Sequence, residues 1–348
     1  MSPDRRRGNR FPWASWSDER LLHLPMRSLG VTIDGTWLEL LVERLEVELD
    51  ARGLRFRPSV WLSDEWFSPA GVGGFAIPFY LTHPRLRRLE RSQMLDVEGA
   101  SRAEAMRIMR HETGHAIQHA YQLHRRRRWQ QLFGKSSVAY PESYRPTPAS
   151  RRFVQHLRHW YAQAHPDEDF AETFAVWLAP RSDWRQRYAG WPALRKLEYV
   201  DELMEEIGPQ VPPVRRRSAV DPLRTLRKTL GEHYEERKKV YRVAFPNTYD
   251  GELKRIFSDE PRHRRFETAA SFLRRHQSDI RRIVARWTGE HQYTLDLVLV
   301  DMMARCKLLR LRAAGPERQL LTDVTVLLAV KTMHFQYAPG RWESRIPV

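Results

Sequence analysis

The sequence predicts an α+β fold, with a small twisted sheet beside a strongly signalled helix and a mostly helical C-terminal region. Three observations carry this. Two apolar segments with strand character lie between residues 54 and 81, a clear helix start stands at Ser101, and apolar residues recur at helical spacing towards the C-terminus. The first element is a helix over Thr36–Arg52, with Trp37, Leu40, Leu41, Leu45 and residues 47–49 as its apolar stripe. Asp34 or Thr36 is placed to cap it, and Gly53 to end it. Leu54–Leu62 then alternates loosely as a strand. Gly71–Leu81 reads as a second, held to a sheet edge by Pro78. Ser101 with Glu104 three residues on forms a capping box, and its helix runs through Met106, Met109, Ala116 and Ala120 to about Tyr121. Helices are expected at Arg151–Ala164, at Asp167–Leu178 (stopped by Pro180) and at Ala193–Ile207. The stretch Gly208–Asp221, with proline, glycine and charge but no period, reads as a linker. Beyond it, Pro222–Tyr241, Glu267–Trp287, Tyr293–Ala313 and Arg318–Met333 read as helices. The expected organisation is a basic tail over 1–27, a domain over 28–210 and a helical region over 211–348.

Composition narrows the classes. With 348 residues, 41% of them hydrophobic, the chain can bury a sizeable core, which excludes wholesale disorder. One cysteine, Cys306, excludes an internal disulfide framework and a cysteine-rich zinc ribbon. No apolar run approaches the ~18 residues of a membrane helix, and no signal-peptide core follows the basic N-terminus. A soluble, cytoplasmic protein is the expectation. The net charge of +16 favours contact with something anionic. Its arginines come in runs: Arg5–Arg7, Arg125–Arg128, Arg215–Arg217, Arg264–Arg265 and Arg274–Arg275. Runs of this kind are ordinarily solvated surface.

Chemistry is concentrated in the capped helix, which contains His111-Glu112-Thr113-Gly114-His115, an HExxH pattern. Residues four apart share a helix face, so His111 and His115 can present ring nitrogens to one zinc ion. Glu112 stands beside that face, where it can take a proton from water activated by the ion. A catalytic zinc needs a third protein ligand and an open position. His119 continues the series but lies about 12 Å along the helix from His111, too far to share an ion. The ligand must come from elsewhere, and the acidic helix containing Glu168, Asp169 and Glu172 is the best source. Asp169 is turned about 100° from Glu168 and should face away. Glu168 and Glu172 share a face about 6 Å apart along the axis, so only one is expected to touch the metal. Spacing alone leaves the choice open.

HETGH followed some fifty residues later by EDFAE resembles the gluzincin branch of zinc metallopeptidases. It is similar also to bacterial zinc-binding metallopeptidases that share the HPxEDFAETF stretch. The resemblance covers about Ser101–Pro180, and the edge strand upstream fits the zincin plan. It implies a zincin-like core, Glu168 as the third zinc ligand and Glu172 as a carboxylate that orients a ligand histidine. Lethal-factor-type enzymes also carry a tyrosine shortly before the ligand glutamate, which by analogy makes Tyr161 a candidate for stabilising the oxyanion. Tyr140 and Tyr144 are lesser candidates. His124 and His165 read as surface residues, and His156 and His159 as helix-surface or core-edge groups.

The reading is a zinc-dependent metallopeptidase in which His111, His115 and Glu168 hold Zn2+ and Glu112 is the general base. Its substrate is a peptide or protein, an acidic one if Arg125–Arg128 flank the cleft rather than merely balance a helix end. The alternatives are a basic nucleic-acid-associated protein with an auxiliary zinc site, and a scaffold whose zinc site is catalytically idle. The intact Glu112 argues against the last, because a structural site needs no base.

Overall fold

Local signals place the main helices of the computed structural model, which describes residues 11–141, 143–144, 146–147, 149–216, 218–240, 249–337 and 346–347. Arg5–Arg7, Arg217 and the expected helix end at Tyr241 lie outside the described residues, as does the side chain of His159. The helices are α1 (Asp18–Leu22), α2 (Trp37–Ala51), α3 (Pro84–Met94), α4 (Arg102–Tyr121), α5 (Arg127–Phe133), α6 (Pro166–Leu178), α7 (Trp184–Arg187), α8 (Leu194–Ile207), α9 (Leu230–Val240), α10 (Asp250–Ile256), α11 (Ala269–Thr288), α12 (Gln292–Leu308) and α13 (Glu317–Tyr337). Thr36 caps α2, its hydroxyl accepting from the Leu38 amide, and Gly53 follows at a φ of +72°. Leu40 and Val47, expected in the buried stripe, are instead 51% and 65% exposed. The packed face is formed by Leu38, Leu41, Leu45 and Leu49, with Glu48 buried among them.

The sheet that carries the two predicted strands is small. Strands β1 (Ser59–Ser63) and β2 (Gly74–Pro78) pair in parallel, from Ser59 opposite Gly74 to Ser63 opposite Pro78. Pro78 closes β2, where no further ladder donor is needed. The Ala76 amide donates to the Phe67 carbonyl, so the connection between the strands turns back against β2.

Helices α1, α3, α5, α7 and α10 were not marked by the sequence, and the expected helix over 151–164 is replaced by a short 3-10 turn at Arg158–Gln163. The reason is where the amides go. Gln155 N donates to the Tyr188 hydroxyl and Leu157 N to the Glu172 carboxylate, partners that outcompete a helical carbonyl.

The chain divides into two compact units: Met1–Gln93 with Val97–Glu235 and Pro347–Val348, and Met94–Asp96 with Glu236–Ile346. This division falls between Glu235 and Glu236. Residues 208–216 and 218–221 form an irregular strap bonded into the first unit. Arg55 N donates to Gly208 O, Val214 N to Ala120 O, Gly73 N to Arg216 O, Trp61 Nε1 to Val220 O and Ser63 Oγ to Asp221 O. The expected N-terminal tail is likewise anchored from Pro12 onward, with Trp13, Leu21 and Met26 buried.

Within the first unit, α4 and α6 lie face to face. Gly114 faces Ala171 so closely that an added Cβ would stand 2.7 Å from the Ala171 Cα. Arg110 of α4 makes a buried two-pronged ion pair with Glu48 of α2, at 2.6 and 2.7 Å. Lys196 of α8 reaches Asp169 of α6 at 2.5 Å. Phe133 and Trp129 of α5 pack on Phe170 of α6. In the second unit, α10 to α13 enclose a separate core that includes Phe257, Phe272, Leu299, Met302 and Val324. No described helix is long and apolar enough to cross a membrane.

Candidate metal centre

Two helix faces make the centre. The cap of α4 is Ser101, whose hydroxyl accepts from Glu104 N at 3.1 Å, which starts the helix so that His111 and His115 point at α6. Helix α6 starts from His165, whose Nδ1 accepts from Asp167 N at 3.1 Å, with Pro166 in its first turn. Acidic residues in that turn suit the positive end of the helix dipole.

Across this contact three atoms converge. His111 Nε2 lies 3.1 Å from His115 Nε2, and Glu168 Oε2 lies 3.0 Å from the first and 3.1 Å from the second. All three residues are buried. Ligands 2.0–2.1 Å from a tetrahedral ion stand about 3.3 Å from one another, so this near-equilateral triangle suits a small ion. The far side of His111 supports the same reading. Its Nδ1 is 2.9 Å from Glu172 Oε1, while Glu172 Oε2 accepts from Leu157 N at 2.8 Å. With the His111 proton at Nδ1, the Nε2 lone pair points at another ring nitrogen and a carboxylate oxygen. That arrangement calls for a cation. Two imidazoles and one carboxylate are a donor set that zinc accepts.

The electrostatics agree. Burial disfavours a charged imidazole at His111, but the bonds and charges of Glu168 and Glu172 outweigh it and lift its pKa well above the ordinary value. His115 is raised for the same reason, chiefly by Glu168 against burial. Burial opposes ionisation of Glu168 and Glu172 too, yet their histidine partners hold both below the usual carboxylate range. The site is built to stabilise positive charge at the two Nε2 atoms.

Glu112 is buried between the two histidines in sequence, and its Oε2 has no partner. Burial pushes its pKa up, His111 and His115 pull it back, and Glu168 pushes it up further. The Tyr161 ring lies 5.6 Å from the His111 ring, with Tyr144 6.2 Å beyond it. Burial and the nearby Glu168 and Glu112 charges raise the Tyr161 pKa well above normal, so its phenol keeps its proton. Asp169 turns away from the centre to Lys196. His119 faces the His124 ring at 6.3 Å and is not in the triad.

Several expectations need correction. His165 is not a surface residue; it is buried, caps α6 and donates from Nε2 to Val138 O at 2.8 Å. His124 is only partly exposed. His156 is buried outside any helix and donates to Arg107 O at 2.9 Å. Arg126 and Arg128 fold back onto Glu206 and Glu202 of α8. Tyr140, a lesser candidate from the sequence, donates to Glu168 Oε1 at 3.1 Å. Gly114 carries a signal of its own in the sequence, since a glycine in mid-helix costs about 1 kcal/mol relative to alanine unless a close approach requires it.

A family model described as "Putative zinc-binding metallo-peptidase" matches residues 100–186, the stretch that carries α4, α6 and every residue of the centre. No curated protein and no solved structure matches the chain. The match supports a metallopeptidase in general, with peptides or proteins as the substrate class.

Proposed function

We propose that this chain is a gluzincin-type zinc peptidase that hydrolyses peptide bonds. The observation that carries the proposal is the convergence of His111 Nε2, His115 Nε2 and Glu168 Oε2, with the outer nitrogen of His111 held by Glu172. A zinc ion held by these three residues would supply a Lewis acid and would bring the pKa of water down to about 7. Glu112 Oε2 is the atom free to take a proton from the attacking water and return it to the leaving nitrogen. Tyr161 donates its phenolic proton in a hydrogen bond to the oxygen that gains negative charge. Glu172 keeps the His111 proton on Nδ1 and the ring in its present orientation.

The test is metal analysis of purified protein, then peptide-library cleavage by wild type and Glu112→Gln. About one zinc per chain is expected in both. Cleavage should fall by 100-fold or more in Glu112→Gln, on the order expected for a lost general base. Folded wild-type protein that takes up no zinc would refute the centre. Equal turnover by the two proteins would remove Glu112 from the mechanism.

A further inference from the structure

Resting on that reading of the centre, we propose that Tyr140 is a positioning residue that decides which oxygen of Glu168 faces the two histidines. A carboxylate with both oxygens free can approach an ion through either oxygen or through both. Here the two are distinguished. Oε2 lies within 3.1 Å of both histidine Nε2 atoms, whereas Oε1 accepts the Tyr140 hydroxyl at 3.1 Å. A donor on Oε1 leaves one oxygen for the ion, and so preserves the open position that hydrolysis requires.

The tyrosine needs something to hold it, because it is 49% exposed. His165 supplies that hold. The two rings stack with centroids 3.8 Å apart and planes at 16°. His165 is fixed through both ring nitrogens, Nδ1 accepting from Asp167 N and Nε2 donating to Val138 O. The residue that starts α6 therefore also sets the ring that aims the hydroxyl at Glu168, three residues further along the same helix. A phenylalanine at 140 would stack equally well, so the hydroxyl's contribution can be separated from the ring's.

The experiment compares wild type, Tyr140→Phe and Tyr140→Leu by competitive titration with Zn2+ against a chelator and by the visible absorption of the Co2+-loaded proteins. Tyr140→Phe keeps the stack and should keep the wild-type Tm, yet lose about 10–100-fold in zinc affinity, the usual cost of removing a partner of a ligand. Its Co2+ absorption should weaken, because four-coordinate cobalt absorbs more strongly than cobalt with an added carboxylate oxygen. Unchanged affinity and an unchanged Co2+ spectrum in Tyr140→Phe, with wild type binding both ions, overturn this proposal alone. If wild type binds neither ion, the metal-centre reading itself falls. Affinity losses that follow Tm across the two variants, rather than the missing hydroxyl, reduce Tyr140 to a packing residue and also overturn the proposal.

Discussion

Glu168 and Glu172 meet His111 from opposite sides, the first at Nε2 and the second at Nδ1, although they stand one turn apart on the same helix. Zinc affinity should therefore fall most in Glu168→Ala, less in Glu172→Ala and least in Asp169→Ala. For Glu172→Ala the drop should be about 10–100-fold. A zinc titration that reverses the first two would move the ligand to Glu172. Asp169→Ala has a separate cost in stability, because buried Lys196 would keep only the Arg152 carbonyl; with burial lifting the Asp169 pKa to about 7, the cost sits at the low end of roughly 3–5 kcal/mol. His156 gives the pH prediction. Burial is the main cause that brings its pKa down from 6.5 to about 4, so the neutral ring is favoured in the fold while the unfolded chain binds the proton more readily. Stability from this group is complete above about pH 6.5 and is lost as pH falls towards 4. Urea unfolding should show wild type losing about 2 kcal/mol more than His156→Gln between pH 7 and pH 5. Equal losses would remove His156 from the acid response.

At the scale of elements, the contact between α4 and α6 sets the distance between the histidines and the carboxylates. Gly114→Ala should be destabilising, although alanine is the better helix former by about 1 kcal/mol. The new methyl would press on the Ala171 backbone, and overpacking of this kind costs about 1–3 kcal/mol. Zinc affinity should fall along with Tm; a raised Tm with unchanged affinity would mean that the helices can separate freely. The parts of this region legible in the sequence are those with local causes. The Ser101 cap, the i, i+4 histidines and the proline-bounded acidic helix each carry their own signal within a few residues. The parallel pairing of β1 with β2, the buried role of His165 and the irregular path of residues 151–157 depend on partners far away in the chain. Leu157 is the plainest case, since its amide is satisfied by a side chain fifteen residues on. Periodicity has no access to such a bond. Asp169 could be excluded from the metal by helix geometry alone, but its pairing with Lys196 could not be foreseen.

At the scale of the whole chain, 59 lysines and arginines stand against 43 acids, and several of the arginines already hold an acidic partner. Arg126 and Arg128 pair with Glu206 and Glu202, Arg275 with Glu267 and Glu317, and Arg281 with Asp296. Each exposed pair contributes little to stability, but each occupies a guanidinium that a phosphate would otherwise use. Random duplex DNA should therefore bind weakly, and the binding should vanish near 150 mM salt, a limit of roughly physiological strength. Sub-micromolar binding that survives such salt would instead mark a nucleic-acid partner.

The strap over residues 208–216 and 218–221 determines where the chain can be cut. A fragment ending at residue 210 loses the carbonyls that accept from Trp61 Nε1, Ser63 Oγ and Gly73 N, and the amide that satisfies Ala120 O at the end of α4. Each polar group so abandoned costs about 1–3 kcal/mol where it stays buried. Residues 222–230 extend the same tie, with Met26 N and Arg27 N donating to Lys228 O and Leu226 O. What reads as a linker in composition is a splint in three dimensions.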